Sequence, residues 1–144
     1  MEVFVANEQD VAVDEARLSA LARHVLASED VDDNAELSIL LVTNDHIREL
    51  NARFADEDHA TDVLAFPMME DEEDSLLLGD VVICPSVAGR NAANLRHPLQ
   101  RELDVILVHG TLHLLGYDHQ GPEDRAAMDG RLGELLDSFK PARV

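Results

Sequence analysis

Lysine is almost missing from this chain. Of its 144 residues only Lys140 is a lysine; ten arginines complete the basic set, against 30 acidic residues, for a net charge of −19. Such a field repels polyanions at long range, so a nucleic-acid grip built on a broad basic surface is excluded. A local arginine cluster beside a divalent cation remains compatible with it. Aromatic residues make up 3% and tryptophan is absent, so a core drawn from the 46% hydrophobic residues must be built from Leu, Val, Ile and Ala. The single cysteine, Cys84, excludes a disulfide within one chain, and its place in the apolar run Val81–Cys84 makes it a buried, inert thiol. No stretch approaches the roughly 20 apolar residues of a membrane span. The segment Met1–Val5 has neither the basic start nor the long apolar region of a signal peptide, so a cytoplasmic protein is expected. Internal repeats and Pro/Ser-rich linkers are also missing, and residues 1–144 are expected to form one domain.

What is present reads as interleaved strands and helices. Val3 and Val5 alternate in a short strand from Glu2 to Asn7, and Leu18, Leu21, Ala22, Val25 and Leu26 follow helical spacing behind a capping Asp14. Leu37–Val42 is a strand too apolar for a solvated face, after which Asn44 is expected to cap a helix carrying Ile47, Leu50 and Phe54. Val63–Phe66 is a short strand stopped by Pro67, and Leu76–Cys84 another with a bend at Gly79-Asp80. The acidic run Glu70–Asp74 between them reads as a solvated loop. Pro85 opens a helix to about Leu95, a second starts near His97-Pro98, and Pro122 starts a last one with Met128, Leu132, Leu135, Leu136 and Phe139. The expected fold is α+β: a small mixed sheet covered by about five helices.

The helix from His97-Pro98 carries the chemistry. Its expected core stripe is Leu99, Leu103, Ile106, Leu107, Gly110 and Leu114, with His109 and His113 beside that stripe, one turn apart. Gly116 can end the helix in a left-handed conformation and turn the chain back, bringing His119 to the same point. Single histidines are usually surface or hydrogen-bonded residues, and His24, His46, His59 and His97 fit that description. Three imidazoles at H-x3-H-x5-H around a helix end instead describe a zinc site with an open position for water or substrate. Zinc is the first expectation, although nickel, copper and iron also accept imidazole. Zinc peptidases with related spacing place a glutamate after the first histidine as general base. Here that position is Gly110, which cannot accept a proton.

The segment His109-Gly110-Thr111-Leu112-His113-Leu114-Leu115-Gly116-Tyr117-Asp118-His119 resembles the H-G-x-L-H-L-x-G-Y-D-H signature of the YbeY endoribonucleases, bacterial rRNA maturation factors. Thr61–Pro67 resembles that family's T-D-V-L-S-F-P, with Ala65 for Ser, and Leu78–Cys84 resembles its L-G-D-[IVL]-V-I-[CS]. The blocks fall in order, and the match runs from roughly residue 36 to 137. The resemblance implies a zinc-dependent, single-strand-selective endoribonuclease acting on rRNA precursor and ribosomal particles, in 16S rRNA 3′-end maturation and ribosome quality control. His109, His113 and His119 would be its metal ligands. The family pattern after Leu50-Asn51 usually continues to an aromatic residue followed by Arg, a phosphate contact; here Phe54 is followed by Ala55. Arg53 becomes the candidate substrate contact, with Arg90 and Arg96 as further arginines to consider.

Asp118 and Asp80 are candidate partners behind the ligands: each could fix an imidazole tautomer, or serve only as a turn or bulge residue. Cleavage could proceed by water attack or through the ribose 2′-OH, which would leave a cyclic phosphate. Two other readings share the three ligands: a ribosome-associated assembly factor with a structural metal, and, more distantly, a zinc peptidase.

Overall fold

Strand alternation decides which side chains meet which helices. The computed structural model describes residues 1–68, 77–118 and 121–140, and the acidic run Glu70–Asp74 lies outside them. In chain order the elements are β1 (Glu2–Asn7), α1 (Glu15–Ser28), β2 (Glu36–Leu41), α2 (Asn44–Ala55), β3 (Val63–Pro67), β4 (Leu77–Ile83), α3 (Pro85–Leu95), α4 (Leu99–Leu114) and α5 (Pro122–Ser138). The strands form one sheet in the order β1-β2-β4-β3. The first three run parallel, and β3 is antiparallel to β4 at one edge. This is the expected mixed sheet with five helices among the described residues. Successive strand residues point to opposite faces. Leu37, Ile39, Leu41, Val81 and Ile83 therefore enter the main core with Leu18, Leu21 and Leu26 of α1 and Leu103, Leu107 and Leu112 of α4. Leu40, Val82, Leu64 and Phe66 point the other way, into a smaller cluster with Ile47 and Leu50 of α2.

Several local expectations hold and three shift. Asp14 caps α1, its carboxylate accepting from the Arg17 N–H at 3.0 Å. At α2 the cap is Thr43, not Asn44: Thr43 has the extended backbone a cap needs, and its hydroxyl accepts from the His46 N–H at 3.2 Å. Asn44 becomes the first helical residue, and its side-chain oxygen accepts from the Cys84 thiol at 3.1 Å. Pro67 does not stop β3 but belongs to it, paired with Gly79; an edge strand tolerates a missing N–H. Pro98 caps α4 from outside the first turn.

Helix α4 is the hub. Besides the expected stripe it buries Val108, Thr111 and Leu112, because α1, α3, α5 and the sheet all pack around it. Leu99 and Leu114, at its ends, are only half-buried. Glu102 and Asp104 are buried too, and each is paired, as buried charges must be. Glu102 meets His97 Nε2 at 2.7 Å. Asp104 accepts two bonds from Arg17, at 2.8 and 3.2 Å, and one from Gln100 at 2.8 Å. That carboxylate raises the Arg17 pKa, mainly through the hydrogen bond, and ties α1 to α4. Among the described residues no helix is long and apolar enough to cross a membrane.

Candidate functional site

Burial around α4 leaves one stripe half-open, at Val105, His109 and His113. The two imidazoles stand one turn apart, with ring centroids 4.8 Å from each other and planes at 72°. They face β3 across a cleft of about 400 Å³ whose other walls are Val63, Leu64, Ala65, Pro67 and Gly110. Gly110 sets how narrow that cleft can be. A Cβ there would lie 2.9 Å from Val81 Cγ1 and 3.3 Å from Val63 Cγ2, so only a glycine lets α4 sit this close to the sheet.

The end of α4 follows from Gly116. Leu115 is the C-cap, and Gly116 takes φ +103°, a value that a side chain would strain. Its N–H bonds the His113 carbonyl at 3.1 Å, and the Tyr117 N–H bonds the Leu112 carbonyl at 3.1 Å. This is the Schellman arrangement, and it turns the chain back as the sequence predicts. Asp118 follows, exposed. The third expected ligand, His119, lies outside the described residues.

The two imidazoles are donors of a kind that a divalent metal of borderline softness accepts, and among the described residues no group of three or more His, Cys, Asp or Glu comes together to hold one. Two rings sharing one tetrahedral ion, each nitrogen about 2.1 Å from it, would have centroids about 5 Å apart, the order of separation seen here. The mostly apolar wall opposite leaves space for a substrate group beside them.

The family model described as Endoribonuclease YbeY matches residues 4–140. The chain belongs to the YbeY endoribonuclease family. It is 46% identical to the Endoribonuclease YbeY of Parafrankia sp., over 99% of this chain and 96% of that protein. Against the Endoribonuclease YbeY of Thermobifida fusca it is 44% identical, over 97% and 95%. The solution structure of TM1509 from Thermotoga maritima is similar throughout, with TM-score 0.60 and 25% identity over 99% of each chain.

Within this YbeY-family site the other expected residues separate. Asp80 shares a strand face with Val82, the side toward α2, whereas Val81 faces α4. It therefore does not join the two histidines. Arg53 is exposed on α2 and reaches back to Glu49 at 3.4 Å. It does not line the cleft. Ala55 is the exposed last residue of α2, and Arg90 and Arg96 are exposed on α3 and its cap.

Two features escaped the sequence reading. The β3 residues Val63, Ala65 and Pro67 form the wall opposite the histidines, although alternation alone could not say which strand α4 would face. Tyr117 is tied to distant residues: its hydroxyl donates to Glu29 Oε2 at 3.1 Å, while Arg131 Nε donates to Glu29 Oε1 at 2.5 Å. Burial, then the Glu29 carboxylate, raises the Tyr117 pKa, so the phenol stays protonated.

In the loop before β3, His59 bonds the Ala60 carbonyl through Nδ1 at 3.2 Å and Glu57 through Nε2 at 2.7 Å. Both partners favour the imidazolium and raise its pKa, the backbone carbonyl most. The loop contact it adds is therefore fully present below the unfolded pKa of about 6.5 and is lost as pH rises through the higher folded value. Proton NMR should find His59 titrating above an ordinary histidine, and Glu57→Gln should bring it down.

Proposed function

We propose that this chain is a zinc-dependent endoribonuclease that cuts single-stranded RNA, acting in the cytoplasm on rRNA precursor within ribosomal particles, at the 16S 3′ end. The observation that carries the reading is the His109–His113 pair facing a cleft at the end of α4. His109, His113 and His119 would hold one zinc per chain. When bound, zinc supplies Lewis acidity toward phosphoryl oxygens and lowers the pKa of water toward 7.

The protein's own part is placement. Gly110 sets the depth of the helix against the sheet, and so the distance between the histidines and β3. Val63, Ala65 and Pro67 supply an apolar wall that limits water beside the reacting group. With Gly110 after the first histidine, no side chain at that position takes a proton. A net charge of −19 gives no long-range electrostatic steering toward RNA, so recognition must rest on local contacts.

His109→Ala and His113→Ala should each abolish cleavage of a single-stranded RNA while the circular dichroism spectrum stays that of the wild type. Cleavage at the wild-type rate by either folded variant would contradict the reading. Unfolding of both, with no cleavage by the wild type, would favour the structural-metal alternative. The product ends separate the two chemical routes: a 5′-hydroxyl with a 2′,3′-cyclic phosphate, or the 3′-phosphate it hydrolyses to, fits attack by the ribose hydroxyl, and a 3′-hydroxyl with a 5′-phosphate marks water.

A further inference from the structure

Strand β3 has two faces, and the cleft uses one of them. Val63, Ala65 and Pro67 line the side of His109 and His113. Phe66, between Ala65 and Pro67 in the chain, points the other way, into the smaller cluster with α2. There it meets Phe54, the two ring centroids 5.4 Å apart and the planes at 70°, an edge-to-face pair. Phe54 lies in the last turn of α2 and is 62% exposed. The exposed large apolar side chains among the described residues are Phe4, Val11, Phe54, Met68 and Leu95. Of the two phenylalanines in that set, Phe4 sits on β1, at the opposite edge of the sheet, and Phe54 is the one that touches β3. Both arginines of α2 are already paired, Arg48 with Asp58 at 2.8 Å and Arg53 with Glu49 at 3.4 Å.

We propose that the Phe54–Phe66 pair is a stacking platform for one unpaired base of the substrate RNA, flanking the cut, on the far side of β3 from the histidines. The inference rests on the ribonuclease reading given above. Continuity is its first support. Phe66 is bonded to both Ala65 and Pro67, so its Cα lies about 3.8 Å from those of two cleft residues. No further strand pairs with β3 among the described residues, so an RNA chain leaving the cleft can pass around that edge. Charge is the second support. A net charge of −19, with no unpaired arginine on α2, leaves phosphate without a partner on this face. Stacking on a ring needs no opposite charge, and every base has a π-face to offer. A base inside a duplex does not offer that face, so the platform takes single strands.

The test is a cycle between the protein ring and the RNA base. Single-stranded RNAs with one base at a time replaced by an abasic residue are cleaved by the wild type, Phe54→Ala and Phe54→Tyr, with KM and kcat determined separately. In the wild type, an abasic residue at one or two positions beside the cut should raise KM roughly 5- to 100-fold, the range for one lost stack. Phe54→Ala should raise KM on the intact RNA by the same factor, keep kcat within about twofold, and be indifferent to those abasic positions. Phe54→Tyr keeps a ring and should behave as the wild type. Phe4→Ala removes a comparably exposed phenylalanine from the other edge of the sheet and should change neither constant. The loss should be the same at low and high salt, because no phosphate contact is removed. An unchanged KM in Phe54→Ala, or abasic losses that are equal with and without the ring, would overturn the inference and leave the ribonuclease reading standing. So would an equal loss in Phe4→Ala. Light scattering that finds a dimer in the wild type and a monomer in Phe54→Ala would assign this face to a second copy instead. A wild-type protein that cuts no single-stranded RNA would overturn the ribonuclease reading, and the inference with it.

Discussion

Gly79→Ala is expected to lower the unfolding free energy by about 4 kcal/mol, a large share of the roughly 5–15 kcal/mol by which domains are stable. Gly79 sits at φ +141° in β4, a conformation that L side chains rarely adopt. A Cβ there would lie 2.3 Å from the Phe66 carbonyl oxygen and 2.9 Å from Pro67 Cα. Both obstacles are backbone, so no rotamer change relieves them, and β3 would have to move off β4. The glycine thus brings together two family-like segments, Thr61–Pro67 and Leu78–Cys84, at the Pro67–Gly79 pair. Since β3 is also the cleft wall, any folded remainder of the variant should lose cleavage as well. Urea denaturation measures the loss directly, and a midpoint equal to the wild type would contradict the packing described.

Gly110→Glu is expected to unfold the protein rather than convert it to a peptidase. Its Cβ would meet Val81, which is fully buried, at 2.9 Å and Val63 at 3.3 Å, so the longer side chain would have to be taken up between α4 and the sheet, beside the cleft that Gly110 lines. Overpacking costs about 1–3 kcal/mol, and an unpaired buried carboxylate adds several more or is driven to protonate. Gly110→Ala separates the two terms. Its helix propensity gain of about 1 kcal/mol offsets part of the overpacking, so a net loss of about 1 kcal/mol is expected. Soluble expression and thermal melts of both variants check the ordering. A Gly110→Glu protein as stable as the wild type would show that the helix can stand off the sheet, and would reopen the peptidase reading. As the structure stands, the position that carries the general base in those peptidases faces the sheet.

How much of this was legible in the sequence depends on the range of the interaction. The α1 helix was readable because its cap and apolar spacing lie within 14 residues of one another. The Gly116 turn was readable for the same reason: a Schellman end is decided by a few neighbouring residues. The α2 cap was missed by one position because Thr43 and Asn44 are both good capping residues, and the backbone at the junction chose between them. Asp80 stands out in the sequence as a polar side chain on an apolar strand, but its face depends on which side of β4 receives α4, and that is a tertiary fact. The order β1-β2-β4-β3 places β4 between two strands that precede it in the chain, which no local pattern encodes. The Glu29–Tyr117 and Glu29–Arg131 contacts join residues 88 and 102 positions apart and left no periodic signal.

Metal content and cleavage measured on the same wild-type preparation test the central claim most directly. The protein would be purified without added metal, analysed for zinc, and assayed on a single-stranded RNA before and after chelation and zinc replacement. The account predicts about one zinc per chain, cleavage lost on chelation, and cleavage restored by zinc. Cleavage that persists in metal-free, folded protein would contradict it.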